Sequence, residues 1–454
     1  MNKRCYRMIK LGWLATLLPG VSLAASLVTL DEAVKHALQH NAELHASEQQ
    51  VQVARQQLAS VEAAAMPVVS LSHSARVSDN PLDAFADKLF TRQVTAADFD
   101  PASLNRPGSS ELYLTSLSLK WPVYTGGELD ARQRQSGMAL QQSRLLYQHA
   151  RQVTAWQSAQ AYLYAVAAQR ALGIAEQAVV AAQHHADTTA RLAAEGRIVE
   201  SDKLAAEVNL AAVKAQQVQA VTRHQHALTR LRQLMGLPPE AGLAVGARWP
   251  PTPFWSQQED SDVGQHIEHA LQNRHDLLAA QKAIAAAGAG VDVASADKKP
   301  SVALVASSNW YDDAPGFDNQ SSSLMAVASI KLYDGASEGK LGMARARQKE
   351  QQWREQALQQ QVRSQVKQAF DDVQEATTRL ALASDNVSRA RQAVQLVQKR
   401  YGQGRTILLD LLQSERAYTE ARIEKLTAEL NLRTSRLTLA FASGKLALPE
   451  EGGQ

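Results

Sequence analysis

The sequence predicts an exported, mainly α-helical chain that is internally duplicated, with two β-strands in each half that suit a membrane β-barrel. Three observations predict this fold class. They are an N-terminal export signal, a repeat that spans both halves, and long proline-free helical spans beside strands of alternating polarity. We expect several copies of the chain to complete the barrel.

The first residues have the composition of a secretory signal peptide. Four basic residues and no acidic ones accompany a short apolar stretch at residues 11–18, and small residues follow at 22–25. This pattern is typical of a cleaved export signal, and it is too short to span a membrane as a helix. We predict a signal peptide over residues 1–25.

Cysteine content and charge exclude several classes of function. The only cysteine, Cys5, lies inside the signal, so we expect neither disulfides nor thiolate chemistry in the mature chain. The net charge of the whole chain is +3, and loss of the four basic signal residues lowers it to −1. That balance does not favour nucleic-acid binding. Because no long uncharged apolar run follows the signal, we expect no membrane-spanning helix.

The two halves of the chain match each other in sequence. Residues 36–44 (HALQHNAEL) resemble residues 269–277 (HALQNRHDL) at an offset of 233 positions. Further matched pairs are Pro67 with Pro300, Tyr124 with Tyr333, Gly196 with Gly404, Asp202 with Asp410, and Gly236 with Gly444. Such self-similarity indicates a repeated structural unit. We predict a first repeat at 26–237, a Pro-rich linker at 238–261, a second repeat at 262–446 and a short tail at 447–454.

Two spans, residues 123–237 and 316–448, contain no proline and are rich in strong helix formers. One helix over residues 129–194 would be about 100 Å long. A helix of that length indicates a coiled coil, a helical tube or an array. Gly196 and Gly404 interrupt the pattern where a helical hairpin would turn.

Four segments alternate between apolar and polar residues, which is the period of a β-strand. They are residues 69–77, 113–124, 302–310 and 324–333. Each has about the length that a tilted strand needs to cross a membrane. The residues that we predict to face lipid are Leu117, Leu119, Trp121, Ile330 and Leu332.

A soluble sandwich with its apolar side turned inward is the alternative explanation of these strands. It fits poorly with the long helices that flank them. Known membrane barrels start at about eight strands, so several copies of the chain must contribute. Residues 78–110 have no counterpart in the second half, and we predict that they form a long extracellular loop, with residues 312–321 as a short one.

Motifs for catalysis or for cofactor binding are absent from the sequence. It contains neither a Walker loop nor a Gly-x-Ser-x-Gly motif. The histidine pairs 184–185 and 224–226 have spacings at which helical side chains do not face one another, so we predict no metal site. We therefore expect no enzyme activity and no cofactor.

The duplication, the strand ends YTGG and YDG, and two hairpin tips with glycine six positions before aspartate resemble the TolC family of outer-membrane efflux proteins. The resemblance covers about residues 27–446. It implies a trimer with a 12-stranded outer-membrane β-barrel, four strands per chain, continuous with a periplasmic α-helical barrel. It also implies a passive exit duct in the outer membrane of a Gram-negative bacterium, with a periplasmic adaptor protein and an inner-membrane pump, of RND rather than ABC type, as partners.

The same resemblance implies roles for residues at the two tips. Asp202 and Asp410 would lie near the periplasmic aperture, and Tyr401 would take part in contacts that close it. The adaptor-docking tips would contain Gly196, Arg197, Gly404 and Arg405. Two alternatives remain open: the glycines only end helices, and Asp410 only caps the helix that follows it.

A periplasmic adaptor or a coiled-coil scaffold without a pore is the alternative function. An adaptor also contains a long helical hairpin, but it carries one hairpin, whereas this chain has two in tandem. The alternating strands argue against a scaffold.

Overall fold

The computed structural model describes residues 26–250 and 262–449. Its α-helices are α1 (Leu30–His40), α2 (Ala42–Ala63), α3 (Pro81–Phe90), α4 (Pro101–Asn105), α5 (Glu128–Ala194), α6 (Glu200–Leu234), α7 (Val263–Asn273), α8 (His275–Ala296), α9 (Gly335–Gly402) and α10 (Leu408–Ala442). Its strands are β1 (Ser26–Val28), β2 (Val68–Ser78), β3 (Ser110–Tyr124), β4 (Leu243–Val245), β5 (Ser301–Asp312) and β6 (Asn319–Ser329). The predicted signal peptide, linker residues 251–261 and tail residues 450–454 lie outside the described residues.

The chain divides into two compact units. We call the first the tip unit, because both hairpin turns belong to it; it comprises the described residues of Met1–Ala37, Ser158–Pro251 and Ala383–Leu430. The second is the strand unit, which comprises the described residues of Leu38–Gln157, Thr252–Leu382 and Asn431–Gln454. Each unit is made of several separate stretches of the chain, whereas each predicted repeat is one continuous stretch. The repeat boundaries therefore stay a prediction.

The strand unit contains a four-stranded antiparallel sheet in the order β2-β3-β5-β6. These strands confirm the prediction from period-two alternation. The register places Val69 opposite Leu119, Leu119 opposite Ala306, and Ala306 opposite Leu324. Opposed residues share a face of the sheet, so these four side chains form one row across it. We call such a row a rung, and this rung is apolar throughout.

The last strand ends earlier than the sequence predicts. β6 stops at Ser329, so Ile330 and Leu332 lie beyond it, and the placement of these two residues in a strand was wrong. Ser329 pairs with Ser301, the first residue of β5. The residue before Ser301 is Pro300, which has no N–H to donate and cannot extend the ladder.

The insertion between β2 and β3 is not an extended loop. It folds into α3, a 3-10 turn at Ala96–Phe99, and α4. Asn80 caps α3 and Asp100 caps α4, and in each case proline is the first helical residue. These are the ordinary start signals of a helix.

Equivalent residues of the two halves make equivalent contacts. The Nδ1 atom of His36 lies 2.8 Å from the carbonyl oxygen of Met235, and the Nδ1 atom of His269 lies 2.8 Å from that of Ser443. The first two helices of each half also have the same bounds at the sequence offset of 233, since Leu30–His40 corresponds to Val263–Asn273. Each half therefore starts with the same bent helix pair.

One described helix, α8, is apolar and long enough to cross a membrane by length and composition, contrary to the expectation that no such helix follows the signal. Nine of its 22 residues are alanine, and five more are leucine, isoleucine or valine. In the strand unit some of its alanines, together with Gly290, line a groove beside charged side chains of α5 and α9. Length and composition alone are weak evidence for a membrane span.

Candidate functional site

The first hairpin tip is a tight turn between α5 and α6. Gly196 has φ +68°, and its N–H donates to the carbonyl oxygen of Ala193 at 2.9 Å. The N–H of Arg197 donates to the carbonyl oxygen of Leu192, also at 2.9 Å. Together these bonds form a Schellman motif, which ends a helix with a residue in the left-handed conformation.

The second tip, between α9 and α10, repeats this geometry. Gly404 has φ +68°, and its N–H donates to the carbonyl oxygen of Tyr401 at 2.9 Å. The N–H of Arg405 donates to the carbonyl oxygen of Arg400 at 2.9 Å. The hairpin turns predicted from the two glycines are therefore confirmed.

The tip glycines have open space beside them. A Cβ atom built on Gly196 or Gly404 would meet no atom within 4 Å from any part of the chain beyond its immediate neighbours. Their positive φ nevertheless disfavours any other residue. Both glycines therefore end helices, which is the structural role that the sequence analysis left open for them. The chain also leaves room for a partner to approach them closely.

The two aspartates occupy the same place in successive hairpins. Asp202 lies in the first turn of α6 and Asp410 in the first turn of α10. A carboxylate there is favoured by the positive end of the helix dipole. The hydroxyl of Thr406 donates to Oδ2 of Asp410 at 2.6 Å, which fixes that carboxylate next to the turn.

Tyr401 lies between the hairpins of the tip unit. It packs against a buried cluster of Ala186, Ala206, Leu408 and Leu411, to which both hairpins contribute. Burial, followed by the negative charge of Asp202, raises the pKa of its phenol. Tyr401 and Asp202 are therefore close enough to interact electrostatically, and the phenol stays protonated at neutral pH.

Polar contacts between α5 and α10 form a ladder that the sequence analysis missed. The contacts join Arg170 with Glu429 at 2.6 Å, Gln177 with Arg422 at 2.7 Å, and His185 with Glu415 at 3.4 Å. We call this set the α5–α10 ladder. Its members on α10 are spaced by seven residues, and the order along α5 is reversed, as antiparallel helices require. The heptad spacing of charges on α10 was the one signal in the sequence.

The sheet separates a polar face from an apolar one. Two adjacent rungs of the polar face contain hydroxyl and amide side chains only: Ser70, Ser118, Ser307 and Ser323, and then Ser72, Ser116, Asn309 and Ser321. Ser70 and Ser118 are joined by a hydrogen bond of 2.7 Å, and Ser307 and Ser323 by one of 2.9 Å.

The opposite face exposes large apolar side chains to the surroundings of the chain. Leu117 is 40% exposed and Trp121 41% exposed, and on the outer strands Leu71 and Leu324 are 72% and 78% exposed. Near the loops the same face becomes polar, with His73 bonded to Thr115 at 2.9 Å. A contiguous apolar surface of this kind needs a non-aqueous environment or a partner.

Among the residues that the structure describes, no group of three histidine, cysteine or acidic side chains could hold a metal ion.

Comparison with known families decides the identity. A family model described as outer membrane efflux protein matches residues 33–237 and 266–445. The chain belongs to this family. The resemblance to TolC-type channels is thereby confirmed, and the chain is an outer-membrane efflux channel with a large periplasmic part. Proteins of this family are channels and not enzymes.

Individual relatives are distant in sequence and close in fold. Protein CyaE of Bordetella pertussis is 27% identical over 341 residues, which cover 73% of this chain and 70% of CyaE. The outer-membrane channel OprN has a TM-score of 0.77 at 23% identity, covering 93% of this chain and 91% of OprN. The CmeC outer-membrane channel of Campylobacter jejuni has a TM-score of 0.78 at 15% identity, covering 99% of this chain and 95% of CmeC.

Proposed function

We propose that this efflux protein is the outer-membrane exit duct of a tripartite export system and works as a homotrimer. A periplasmic adaptor and an inner-membrane pump, of RND type in preference to ABC type, would deliver the substrate. The duct itself is passive, and the energy comes from the pump. We also infer that the chain arose by duplication, an inference supported by the matched histidine contacts at His36 and His269.

The single observation that best supports assembly into a trimer is that the sheet has two unpaired edges. Within the described residues β2 pairs only with β3, and β6 pairs only with β5. Both outer strands are exposed almost throughout. An unpaired edge cannot persist in a membrane. Pairing of β2 with β6 of a neighbouring copy would satisfy both edges, and three copies would give the 12 strands of a closed barrel.

Closure of the barrel would assign the two faces of the sheet. The apolar face with Leu117, Leu119 and Trp121 would contact lipid. The serine rungs would line the lumen, as the polar interior of membrane barrels requires. Ile330 and Leu332, which follow β6, would lie at the membrane boundary.

At the other end of each hairpin, the tips would serve the gate and the adaptor. Asp202, Asp410 and Tyr401 would lie at the periplasmic aperture, and Gly196, Arg197, Gly404 and Arg405 would form the docking surface. The near-identical backbone of the two tips supports similar docking points on each hairpin. The adaptor and scaffold alternatives do not account for the four-stranded sheet with an exposed apolar face.

The experiment that tests the duct is reconstitution of the purified protein. We expect it to fractionate with outer membranes, to migrate as a heat-modifiable trimer, and to conduct ions in a planar lipid bilayer. A folded protein that stays monomeric and gives no conductance would refute the proposal.

The charge of Asp410 is expected to set ion selectivity. Three copies around an aperture would reinforce one another's negative potential and favour cations. Asp410→Asn removes the charge but still accepts the Thr406 hydrogen bond, so its trimer should retain its stability to within about 0.5 kcal/mol. We expect the channel of this variant to lose its preference for cations, which the reversal potential in a salt gradient measures. An unchanged reversal potential would leave Asp410 as a helix cap only.

The helical insertion is expected to lie outside the cell. An epitope tag beside Gly108, where the chain leaves open space, should be labelled by antibody on intact cells. A matched tag after the exposed Gln403 at the second tip should be labelled only after the outer membrane is opened. The reverse pattern would invert the proposed topology.

A further inference from the structure

The two strand pairs of the sheet, β2 with β3 and β5 with β6, have the same register once the halves of the chain are aligned. β2 corresponds to β5 at the offset of 233, and β3 corresponds to β6 at an offset of 209, which is the spacing of the two matched tyrosines. At these offsets the pair of Val68 with Lys120 becomes the pair of Ser301 with Ser329, and both pairs are present. All 11 residue pairs correspond in this way, so the second strand pair copies the first.

The two strand pairs differ in where their second strand ends. β3 continues to Tyr124, whereas β6 stops at Ser329. A proline precedes the first strand of each pair, and both ladders end at the same point beside it. β3 continues beyond that point because β5 lies on its other side and pairs with Trp121, Pro122 and Tyr124. Within the described residues, β6 has no strand on its other side.

The segment that follows β6, residues 330–333, exposes its apolar side chains. Tyr333 is 94% exposed and Leu332 91% exposed. Their counterparts at the end of β3, Tyr124 and Val123, are 50% and 51% exposed, since β5 lies beside them. An exposed apolar segment needs a partner or a non-aqueous environment. The comparison indicates that a strand is missing beside residues 330–333 in the single chain.

β5 is the strand that supports the end of β3, and its counterpart in the first half is β2. The outer edge of β2 is itself unpaired within the described residues. We propose that the contact between β3 and β5 is repeated between β6 and β2 of a neighbouring copy, and that residues 330–333 become strand when the copies assemble. The inference rests on the proposed trimer, to which it adds a register and a segment that folds on assembly.

The register between copies follows from the register within one chain. Four pairs between β3 and β5 serve as the template: Lys120 with Val305, Trp121 with Leu304, Pro122 with Ala303, and Tyr124 with Val302. At the two offsets, the corresponding pairs between β6 and β2 of the neighbouring copy are Ser329 with Ser72, Ile330 with Leu71, Lys331 with Ser70, and Tyr333 with Val69. Leu332 would have no opposed residue, as Val123 has none at the irregularity in β3.

This register keeps the two faces of the sheet continuous from one copy to the next. It places the polar Ser329 opposite the polar Ser72, and the apolar Ile330 opposite the apolar Leu71. Serines of β2 lie in the polar rungs, and Leu71 lies on the apolar face. A register that differed by one residue would oppose polar to apolar side chains along the whole contact.

Engineered cysteines test this register, because the only cysteine of the chain, Cys5, lies in the predicted signal peptide. Directly opposed residues of an antiparallel pair have Cβ atoms roughly 4.5–5.5 Å apart, from which a disulfide needs only a small adjustment. The double variant Ser72→Cys, Ser329→Cys should therefore form covalent dimers and trimers when outer membranes are mildly oxidised, and a reductant should release them. The double variant Ser70→Cys, Lys331→Cys should do the same if residues 330–333 are strand in the assembly.

The matched control is the double variant Ser74→Cys, Ser329→Cys, whose cysteines share a face but lie two positions out of register. We expect it to cross-link about fivefold less, since diagonal neighbours are roughly 7–8 Å apart. A conducting trimer that cross-links best through Ser74, or that leaves the Ser70 and Lys331 cysteines unlinked, would overturn the inference and leave the duct intact. A wild-type protein that forms no trimer and gives no conductance would refute the duct and the inference together.

Discussion

Leu119→Arg is expected to prevent most of the protein from assembling in the outer membrane. Leu119 belongs to an apolar rung with Val69 and Ala306, and in the proposed barrel this rung faces lipid. An arginine near the membrane midplane costs about 2–4 kcal/mol on the lipid face, and a trimer would carry three. The fraction of heat-resistant trimer in outer-membrane preparations measures the loss.

The matched control for this substitution is its neighbour in the chain. Ser118 points to the opposite face of β3, in a rung of hydroxyl groups. Ser118→Arg should therefore assemble nearly as the wild type does, because a lumen-facing charge remains in water. Equal yields of trimer from the two variants would show that the faces are assigned wrongly.

Arg274→Ala is expected to destabilise the strand unit by about 3–5 kcal/mol, because it leaves a buried carboxylate without its partner. Arg274 donates to Asp276 at 2.6 Å, and the side chains are 7% and 14% exposed. It also donates to Gln365 on α9 and to the carbonyl oxygen of Ala442 on α10. One guanidinium thus joins the start of α8 to two long helices.

Thermal unfolding of the purified protein, followed by circular dichroism, measures this effect. Arg379→Ala is the control, because Arg379 pairs with Glu375 on one exposed helix face and such pairs contribute at most about 1 kcal/mol. The double variant Arg274→Met, Asp276→Leu should be more stable than Arg274→Ala, since no unpaired charge remains. Identical midpoints for Arg274→Ala and Arg379→Ala would contradict the expected role.

Features with a local cause could be predicted from the sequence. The strands followed from period-two alternation, as in the Ser118 and Leu119 pair, and the hairpin tips followed from the glycines that tolerate a positive φ. The length of α5 followed from a proline-free composition. In each case the signal lies within a few residues of the structure that it specifies.

Features that depend on distant partners could not be predicted in the same way. The end of β6 depends on where β5 begins, and that in turn depends on Pro300. The His185 contact joins residues 230 positions apart, and nothing near His185 marks Glu415 as its partner. The helices of the insertion are a different case, because Asn80-Pro81 and Asp100-Pro101 are local start signals that the sequence analysis did not use.

The bend between the first two helices of each half shows how the halves have diverged. Asn41 and Arg274 have nearly the same backbone angles, with φ −71° and −67° and ψ 122° and 126°. In the first half the Asn41 side chain accepts from the N–H of Leu44 at 3.1 Å, whereas in the second half Arg274 reaches three separate elements.

The same bend is therefore maintained by different means, and natural selection should act on the two positions differently. The capping bond of Asn41 is one that other short polar side chains, such as aspartate or serine, can also make. No residue other than arginine offers five donors in a planar fork. Among descendants of this gene, we expect position 41 to vary and position 274 to stay fixed. Divergence between the two halves at this bend should therefore accumulate through changes in the first half.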